Sequence, residues 1–202
     1  MQKITVRRGK PEDAHHFSEL VALSSPALFL VLFGSKVKRL MEKLFPHKRH
    51  YYSFDRSFFI EVDGNTAGMA QLHRFRPRRR EKINLTFLLM KYMNWRLPSS
   101  VAPLLMSEKI IRDFSGRDCY LSNVAVYPEY RSLGLGSKLL GAIEEEVKSA
   151  GKNRIVLHAD AKNHGAIRLY ERLGYRIEEK SPTLKIRNKY FDYLIIKKNL
   201  AS

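Results

Sequence analysis

Residues 123–140 read Asn123-Val124-Ala125-Val126-Tyr127-Pro128-Glu129-Tyr130-Arg131-Ser132-Leu133-Gly134-Leu135-Gly136-Ser137-Lys138-Leu139-Leu140. Alternating apolar residues predict a strand over Cys119–Val126, and the spacing of the leucines predicts a helix over Ser137–Ala150. Between them, Gly134 and Gly136 allow a tight turn that exposes several N–H groups on one side. Because the helix adds its positive end and Arg131 adds a cation, this stretch predicts a binding site for a pyrophosphate.

A pair of glycines also occurs in ordinary strand-to-helix turns, so the pattern alone leaves that alternative open. The dinucleotide fingerprint Gly-x-Gly-x-x-Gly/Ala is met only in part, since Leu139 stands where its third small residue would be. The loop between the strand and the glycines is also longer than the dinucleotide fold uses. The sequence therefore argues against a nicotinamide cofactor.

Apolar periodicity on either side of this stretch predicts further elements of one domain over residues 1–202. We expect strands over Ile4–Arg7, Phe58–Val62, Thr66–Leu72, Arg154–Ala159 and Tyr190–Lys197, and helices over Pro11–Leu23, Ser25–Phe45 (one or two), Leu104–Phe114 and Ala166–Leu173. The Asp63-Gly64-Asn65 turn makes the second and third strands a hairpin. Strands that alternate with helices require a crossover, so the pattern predicts an α/β fold with a mixed sheet.

The composition is that of a globular protein with an unusual charge. The chain of 202 residues carries 37 Lys and Arg against 20 Asp and Glu, a net charge of +17. This predicts a positive field that attracts phosphates, nucleic acid or an anionic cofactor, although solvated surface lysines are an alternative. Cys119 is the one cysteine, which excludes an intramolecular disulfide and favours a buried, inert thiol in a reducing compartment. With no signal peptide and no apolar run of about 20 residues, we expect a cytoplasmic protein.

Two stretches resemble the GNAT superfamily of N-acetyltransferases. Asn123 to Leu140 is similar to the family's central motif, a strand, an Arg/Gln-x-x-Gly-x-Gly/Ala turn and a helix that hold the pyrophosphate of acetyl-CoA. Asn163 to Tyr175 looks like its second signature, Asn-x-x-Ala-x-x-x-Tyr-x-x-x-Gly-Phe/Tyr, and is nearest to the enzymes that acetylate ribosomal-protein N-termini. The resemblance covers residues 119–177. It implies a mixed, mostly antiparallel sheet with helices on both faces and a helical insertion before the central strand.

The resemblance also implies the reaction and the cofactor site. It implies an N-acetyltransferase that moves an acetyl group from acetyl-CoA to an amine by direct transfer through a tetrahedral intermediate, without a metal. The main chain of Val124 and Val126 would pair with the pantetheine arm, and an N–H of Val124 or Ala125 would face the thioester oxygen. The cofactor-binding residues implied are Val124, Ala125, Val126, Arg131, Ser132, Leu133, Gly134, Leu135, Gly136, Ser137, Asn163, Ala166 and Tyr170.

Two catalytic residues follow from the same comparison of motifs. Tyr170 matches the tyrosine that protonates the departing thiolate in many relatives, and packing of its ring on the sheet is the alternative. His158 stands five residues before Asn163, where the ribosomal-protein enzymes have a Glu, so it is the candidate base for the amine. Asp118, which we expect to be an exposed charge at a strand end, His73 and ordered water are the other candidates. Asn163 is expected to cap a helix, to contact the cofactor arm, or both.

The acceptor and the partners stay open in the sequence. A small amine, a protein N-terminus or a lysine all fit, whereas cationic polyamines suit a basic protein poorly. A non-catalytic acyl-CoA-binding protein, or a nucleic-acid- or ribosome-associated one, is the alternative function. Residues 74–117 match nothing in the family. We expect them to cap the acceptor cleft or form a homodimer contact, with packing on the core as the alternative, and the basic run Arg74–Lys82 to meet an anionic partner.

Overall fold

Seven of the nine strands build one sheet in the computed structural model, which describes residues 2–74, 79–93 and 116–200. The sheet order is β1-β2-β3-β4-β5-β9-β6, and β7 and β8 form a separate hairpin. Every neighbouring pair is antiparallel except β4–β5. The strands are β1 Ile4–Arg8, β2 Ser57–Val62, β3 Asn65–His73, β4 Asp118–Val126, β5 Arg154–Asp160, β6 Arg176–Lys180, β7 Leu184–Ile186, β8 Lys189–Phe191 and β9 Tyr193–Asn199.

Six helices are described: α1 Ala14–Ser24, α2 Pro26–Phe33, α3 Val37–Leu44, α4 Arg79–Tyr92, α5 Leu135–Ser149 and α6 His164–Arg172. A 3₁₀ turn over Pro11–Asp13 leads into α1. Gly34, with φ 66°, separates α2 from α3 because its left-handed backbone interrupts the helical run. Helix α5 supplies the crossover between the parallel strands β4 and β5, as a parallel pair requires.

The helices cover both faces of the sheet and produce two separate cores. On one face α1 to α4 pack on residues such as Phe59 and Met69, and we call this the N-terminal core. On the other face α5 and α6 pack on residues such as Leu121, Leu157 and Ile196, and we call this the C-terminal core. Because side chains alternate along a strand, residues before and after Leu157 on β5 face the N-terminal helices.

The predicted fold class is confirmed, and most predicted elements lie where the pattern indicated them. The hairpin turn has left-handed backbone at Asp63 and Gly64, with φ 50° and 83°, as its sequence requires. Three expectations are corrected. Helix α5 begins at Leu135, two residues early; the last predicted strand is broken at Asp192 into β8 and β9; and β6 and β7 were not expected. The sequence pattern does not predict β6 because its five residues are exposed and mostly charged, without an alternation of apolar residues.

Most of the described part of the predicted insertion is helix α4, which the irregular pattern of its sequence did not locate. It packs on the protein's own N-terminal core through Leu85, Leu88 and Leu89, while Ile83 and Phe87 are exposed. His47 and the Tyr92 hydroxyl, 2.8 Å apart, add a polar contact. The helix predicted over Leu104–Phe114 lies outside the described residues, and the expected subunit contact stays a prediction.

In the described ranges no single helix has the length and apolar character needed to cross a membrane. One pair, Pro11–Ser24 with Pro26–Leu44, meets that test of length and composition only when taken together across a bend of 108°.

Candidate active site

Strands β4 and β5 separate at the middle of the sheet. Their paired residues run from Asp118 opposite Arg154 to Leu121 opposite Leu157, and there the pairing ends. Strand β4 nevertheless continues to Val126 and β5 to Asp160. Beyond Leu121 the backbone edge of β4 that faces β5 is therefore available to pair with a ligand, in the manner of an added strand.

A bulge at Asn123 marks the start of this opening. The β3–β4 register shifts between the pairs Gln71–Ser122 and Met69–Ala125, and Asn123 takes φ 51°. Its side chain is held by a hydrogen bond from Nδ2 to the Gln71 Oε1 (2.8 Å) and by one accepted from the Ser24 hydroxyl (3.2 Å). The bulge reorients the next residues, so that Val124 and Val126 pack against the C-terminal core.

The turn predicted to bind pyrophosphate is an exposed segment at the start of α5. Ser132 and Gly134 both have left-handed backbone, with φ 63° and 73°, and Gly134 is the N-cap of the helix. The first N–H groups of α5 have no acceptor within the helix and carry its positive end. A Cβ built on Gly134 meets no atom within 4 Å, so the turn is open to a ligand. This geometry fits the pyrophosphate of coenzyme A.

The other residues assigned to this turn differ in their exposure and contacts. Arg131 is exposed, and its Nε donates to the Val126 carbonyl at 3.3 Å, which holds the guanidinium beside the turn. Leu135 is buried in the C-terminal core, so its part in a cofactor site is limited to its backbone. A Cβ on Gly136 would lie 3.0 Å from the Leu169 side chain, and this glycine therefore allows α5 to approach α6.

Helix α6 carries the second signature. Asn163 caps it, since its Oδ1 accepts a hydrogen bond from the Ala166 N–H at 3.1 Å. Tyr170 is buried in the C-terminal core, with its ring centroid 5.6 Å from that of Tyr175. Burial raises the pKa of the Tyr170 phenol well above its ordinary value of about 10. The group is therefore a proton donor at neutral pH and cannot be a base.

A layer of aromatic side chains lies on the opposite face of the opening. The rings of Tyr51 and His73 stack 4.2 Å apart, those of His73 and Tyr120 lie at 6.0 Å, and those of Tyr120 and His158 meet edge to face at 5.7 Å. His73 is buried, whereas Tyr51, Tyr120 and His158 are half-buried. We call these four residues the aromatic layer. His158 and Tyr170, both predicted to be catalytic, thus lie on opposite faces of β5.

His73 is held by hydrogen bonds on both ring nitrogens. Its Nδ1 lies 3.1 Å from an Arg56 Nη1, and its Nε2 lies 2.9 Å from the Ser122 Oγ. Arg56 in turn donates to the Glu81 carboxylate of α4 at 2.6 Å. Burial, reinforced by the Arg56 charge, lowers the pKa of His73 well below its ordinary value, so the ring is neutral.

Asp118 is not the exposed charge that its place at a strand end suggested. It is buried, and both of its carboxylate oxygens accept from Arg154, at 2.5 Å from Nε and 2.8 Å from Nη2. A carboxylate bound in this way is a structural ion pair and a poor acceptor for another proton. The buried Cys119 thiol agrees with the expectation for an inert group, since burial raises its pKa to about 11.

The sequence pattern did not reveal Tyr51, Arg56 or Ser122 as members of the site. Tyr51 and Arg56 lie in the irregular segment before β2, which carries no motif. The alternation of β4 offered one usable signal, because it places Tyr120 and Ser122 on one face. In the ranges that the structure describes, no group of three or more His, Cys, Asp and Glu side chains is arranged to hold a metal ion.

The comparisons with known proteins all point to acetyltransferases. The family model described as "Acetyltransferase (GNAT) family" matches residues 26–175. The [ribosomal protein bS18]-alanine N-acetyltransferase of Escherichia coli is 31% identical over 87 residues, which are 42% of this chain and 55% of that protein. The L-methionine sulfoximine/L-methionine sulfone acetyltransferase of Salmonella typhimurium is 31% identical over 77 residues, 38% of this chain and 45% of that protein.

Among solved structures, yncA of Salmonella typhimurium with its cofactor acetyl-CoA superposes with a TM-score of 0.56. It is 16% identical, and the match covers 98% of this chain and 94% of that one, which shows a common fold. The matches to the curated relatives named above span about half of the length of those proteins.

Proposed function

The chain belongs to the acetyltransferase (GNAT) family, and from that premise we propose that it transfers an acetyl group from acetyl-CoA to a primary amine. The observation that carries the proposal is the opening between β4 and β5, with the exposed helix-capping turn at one end and the aromatic layer on one face. The opening thus connects the turn, where a pyrophosphate would bind, with the aromatic layer, where an acceptor amine would bind.

In this proposal the turn over 131–136 and the N-terminus of α5 bind the pyrophosphate of acetyl-CoA. The pantetheine arm lies along the free edge of β4 at Val124 and Val126, and Asn163 and Ala166 at the start of α6 contact it from the other side. When bound, the cosubstrate supplies the thioester. The N–H of Val124 or Ala125 donates to the carbonyl oxygen and stabilises the oxyanion of a tetrahedral intermediate.

Tyr170 is the candidate acid for the departing thiolate. Its phenol carries its proton throughout the neutral range because burial raises its pKa. Removal of such a donor costs about 10²-fold or more in rate.

His158 is the candidate base among the side chains. It lies in the half-buried part of the aromatic layer, at the position where the related motif has an acid. Asp118 is a poorer candidate because it is bound to Arg154, and His73 is a poorer one because it is buried between Arg56 and Ser122. Proton transfer from the amine to His158, directly or through water, restores a neutral nucleophile. Ordered water alone is the alternative to this assignment.

We propose an α-amino group as the acceptor. The two relatives named above act, by their names, on the alanine of a ribosomal protein and on L-methionine derivatives, and both acceptors carry an α-amino group. The test is a screen of amino acids, amino-acid amides, short peptides and simple amines with acetyl-CoA, in which free thiol is measured. Thiol release with α-amino compounds supports the proposal. Calorimetry that detects no acetyl-CoA binding to the folded protein would overturn it.

A second proposal concerns an arginine-rich cleft of about 540 Å³ near the ends of β1 to β3. Its cationic lining is Arg8, Arg49, Arg56, Arg74 and Arg80, against Asp55 and Glu81. Glu146 forms ion pairs with both Arg8 and Arg74. The exposed side chains of Arg49 and Arg80 therefore contribute most of the net positive charge of the cleft. We propose that this cleft, which includes part of the predicted run Arg74–Lys82, binds a nucleic-acid phosphate backbone.

Binding of a short single-stranded RNA at several salt concentrations tests this second proposal. The double variant Arg49→Glu/Arg80→Glu should lower the affinity and flatten its salt dependence, because fewer counterions are released. Lys185→Glu/Lys189→Glu, with the same change of charge in the exposed β7–β8 hairpin, is the control. Equal loss in both variants would mean that only net charge matters and that the cleft is not a site.

A further inference from the structure

The polar groups behind the aromatic layer have a fixed direction of hydrogen bonding. We propose that they form a chain from Glu81 through Arg56, His73 and Ser122 to the Tyr51 hydroxyl, and that this hydroxyl recognises an oxygen atom next to the reacting amine. This inference rests on the proposed acetyltransferase function and specifies the class of acceptor.

Arg56 determines which atoms of this chain donate and which accept. A guanidinium has only donors, so its Nη1 donates to the His73 Nδ1 at 3.1 Å and its Nη2 to Glu81 at 2.6 Å. A neutral imidazole has one acceptor nitrogen and one N–H. Because Nδ1 accepts, the proton of His73 is on Nε2. The ion pair between Arg56 and Glu81, whose side chains are 16% and 19% exposed, therefore sets the tautomer of His73.

The tautomer of His73 fixes the direction of the next hydrogen bond, which involves Ser122. The His73 Nε2–H donates to the Ser122 Oγ at 2.9 Å, and the Asn123 amide Nδ2 lies on the same oxygen at 3.5 Å. With donors on its oxygen, Ser122 directs its own hydrogen to another acceptor. The Tyr51 ring stacks on His73 at 4.2 Å, and the influence of Ser122 lowers the pKa of the Tyr51 phenol against its burial, which makes the Tyr51 hydroxyl that acceptor in this proposal. Burial raises the pKa of Tyr51 to about 12, so this phenol keeps its proton and is the final donor of the chain.

The end of the chain lies where an acceptor has to approach. Ser122 is the first residue of β4 after the pairing with β5 ends, and its side chain faces away from the α5 and α6 helices. Ser122 and Tyr51 are half-buried, unlike His73 behind them. A thioester held along the free edge of β4 would have these hydroxyls beside it, on the face opposite Tyr170.

The chemistry of this face defines the acceptor. It offers the Tyr51 hydroxyl as a donor together with aromatic rings, which suit an amine that carries a carbonyl or carboxylate oxygen and an apolar side chain. The carboxylates of Asp118 and Glu81 are already paired with Arg154 and Arg56, so neither of these two acids favours a second ammonium group on the acceptor.

Two acceptors that differ in the carbonyl group test this recognition. L-phenylalaninamide and phenethylamine share the ring and the amine, and only the former has the oxygen. We expect the wild type to prefer the amide by about 10-fold or more in kcat/KM, since an unpaired donor in the site disfavours the other compound. In Ser122→Ala and Tyr51→Phe the preference should fall at least about threefold, through KM rather than kcat.

Variants of His73 separate a positioning role from simple packing. His73→Gln retains an acceptor for Arg56 and a donor for Ser122, so it should keep the preference, whereas His73→Leu should lose it. Acetyl-CoA affinity and melting temperature of each variant check that the fold and the cofactor site are intact. Equal kcat/KM of the wild type for the two amines, or an unchanged preference in Ser122→Ala and Tyr51→Phe, would overturn this inference alone. A folded wild type that acetylates no amine would overturn the proposed function as well.

Discussion

The two sides of the opening between β4 and β5 are built in different ways. The cofactor side is one continuous piece of chain, from the bulge at Asn123 through the turn to α5, with α6 beside it. The acceptor side is assembled from separate segments, since Tyr51, His73, Tyr120 and His158 come from a loop and three strands. In the proposed function, a local arrangement of backbone binds acetyl-CoA, and a surface composed of distant segments binds the acceptor.

The two sides also differ in whether backbone or side-chain atoms would contact the ligand. On the cofactor side the backbone is decisive, because the left-handed Gly134 and the free N–H groups of α5 need no particular side chain. On the acceptor side the side chains are decisive, because their hydrogen bonds are directed by Arg56 and Glu81. Mutations should therefore separate loss of cofactor binding from loss of acceptor recognition.

The largest expected effect comes from Gly134→Glu. The new carboxylate would stand where the pyrophosphate is proposed to bind, and the left-handed backbone disfavours any side chain. Calorimetry should detect no coenzyme A binding, a loss of at least about 10³-fold for micromolar affinity. Gly141→Glu, on the exposed middle of α5, is the matched control and should bind normally. Unchanged affinity in a folded Gly134→Glu protein would place the cofactor elsewhere.

Asp118→Ala should have the next largest effect, on stability and not on the chemistry. It removes two charge-assisted hydrogen bonds to Arg154, whose side chain is 31% exposed, and the loss should lower the free energy of unfolding by about 1.5–3 kcal/mol. Glu145→Ala, which removes an exposed pair with Lys148, is the control and should change stability little. The pH profile of kcat/KM in Asp118→Ala should match that of the wild type, and loss of its acidic limb would make Asp118 the base after all.

The sequence located the backbone elements of the proposed cofactor side but not the residues that meet on the proposed acceptor side, and both outcomes have the same physical reason. Motifs report local backbone geometry, so the strand, the turn and the helix around Gly134 could be located to within two residues. The partner of Asp118 lies 36 residues away, and His73 and Ser122 are 49 apart. Contacts of that kind depend on strand register, which the bulge at Asn123 changes and no local pattern reveals.

Strands β6 and β7 and helix α4 illustrate a second limit. An edge strand with five exposed residues has no apolar alternation to detect. Helix α4 has apolar residues on both its buried and exposed sides, at Leu89 and Phe87, so its period is weak. Its contact with α3 is decided by the tertiary structure and not by its own sequence.

Tyr170→Phe tests whether the cofactor side also supplies the acid. The variant keeps the packing of the ring and removes only the hydroxyl, so acetyl-CoA affinity should stay the same. We expect kcat to fall on the order of 10²-fold, as for a general acid. Tyr175→Phe, a buried neighbour at 5.6 Å, is the control and should retain its rate. A fully active Tyr170→Phe enzyme would reduce this tyrosine to a packing residue.

The smallest expected effect is a pH-dependent loss of stability that begins at the acceptor side. His50 anchors the segment that carries Tyr51 and Tyr52: its Nε2 donates to the Leu44 carbonyl at 3.0 Å, and its Nδ1 accepts from the Tyr52 N–H at 3.2 Å. Burial lowers the pKa of His50 to about 4 from an ordinary value of 6.5, against the opposing effect of its bond to Leu44. The folded protein therefore keeps this ring neutral where the unfolded chain binds a proton.

Because the unfolded state binds more protons below pH 6.5, stability should fall as the pH is lowered from there towards 4. The contribution of His50 between pH 7 and pH 5 is on the order of 2 kcal/mol, from about 1.4 kcal/mol for each pKa unit. Urea unfolding at these two pH values, compared in the wild type and in His50→Gln, measures it. Gln can keep a donor for Leu44 and an acceptor for Tyr52, so the variant should lose this part of the pH dependence. An equal pH dependence in both proteins would mean that His50 is not the titrating group and that the acceptor side is not the acid-sensitive half.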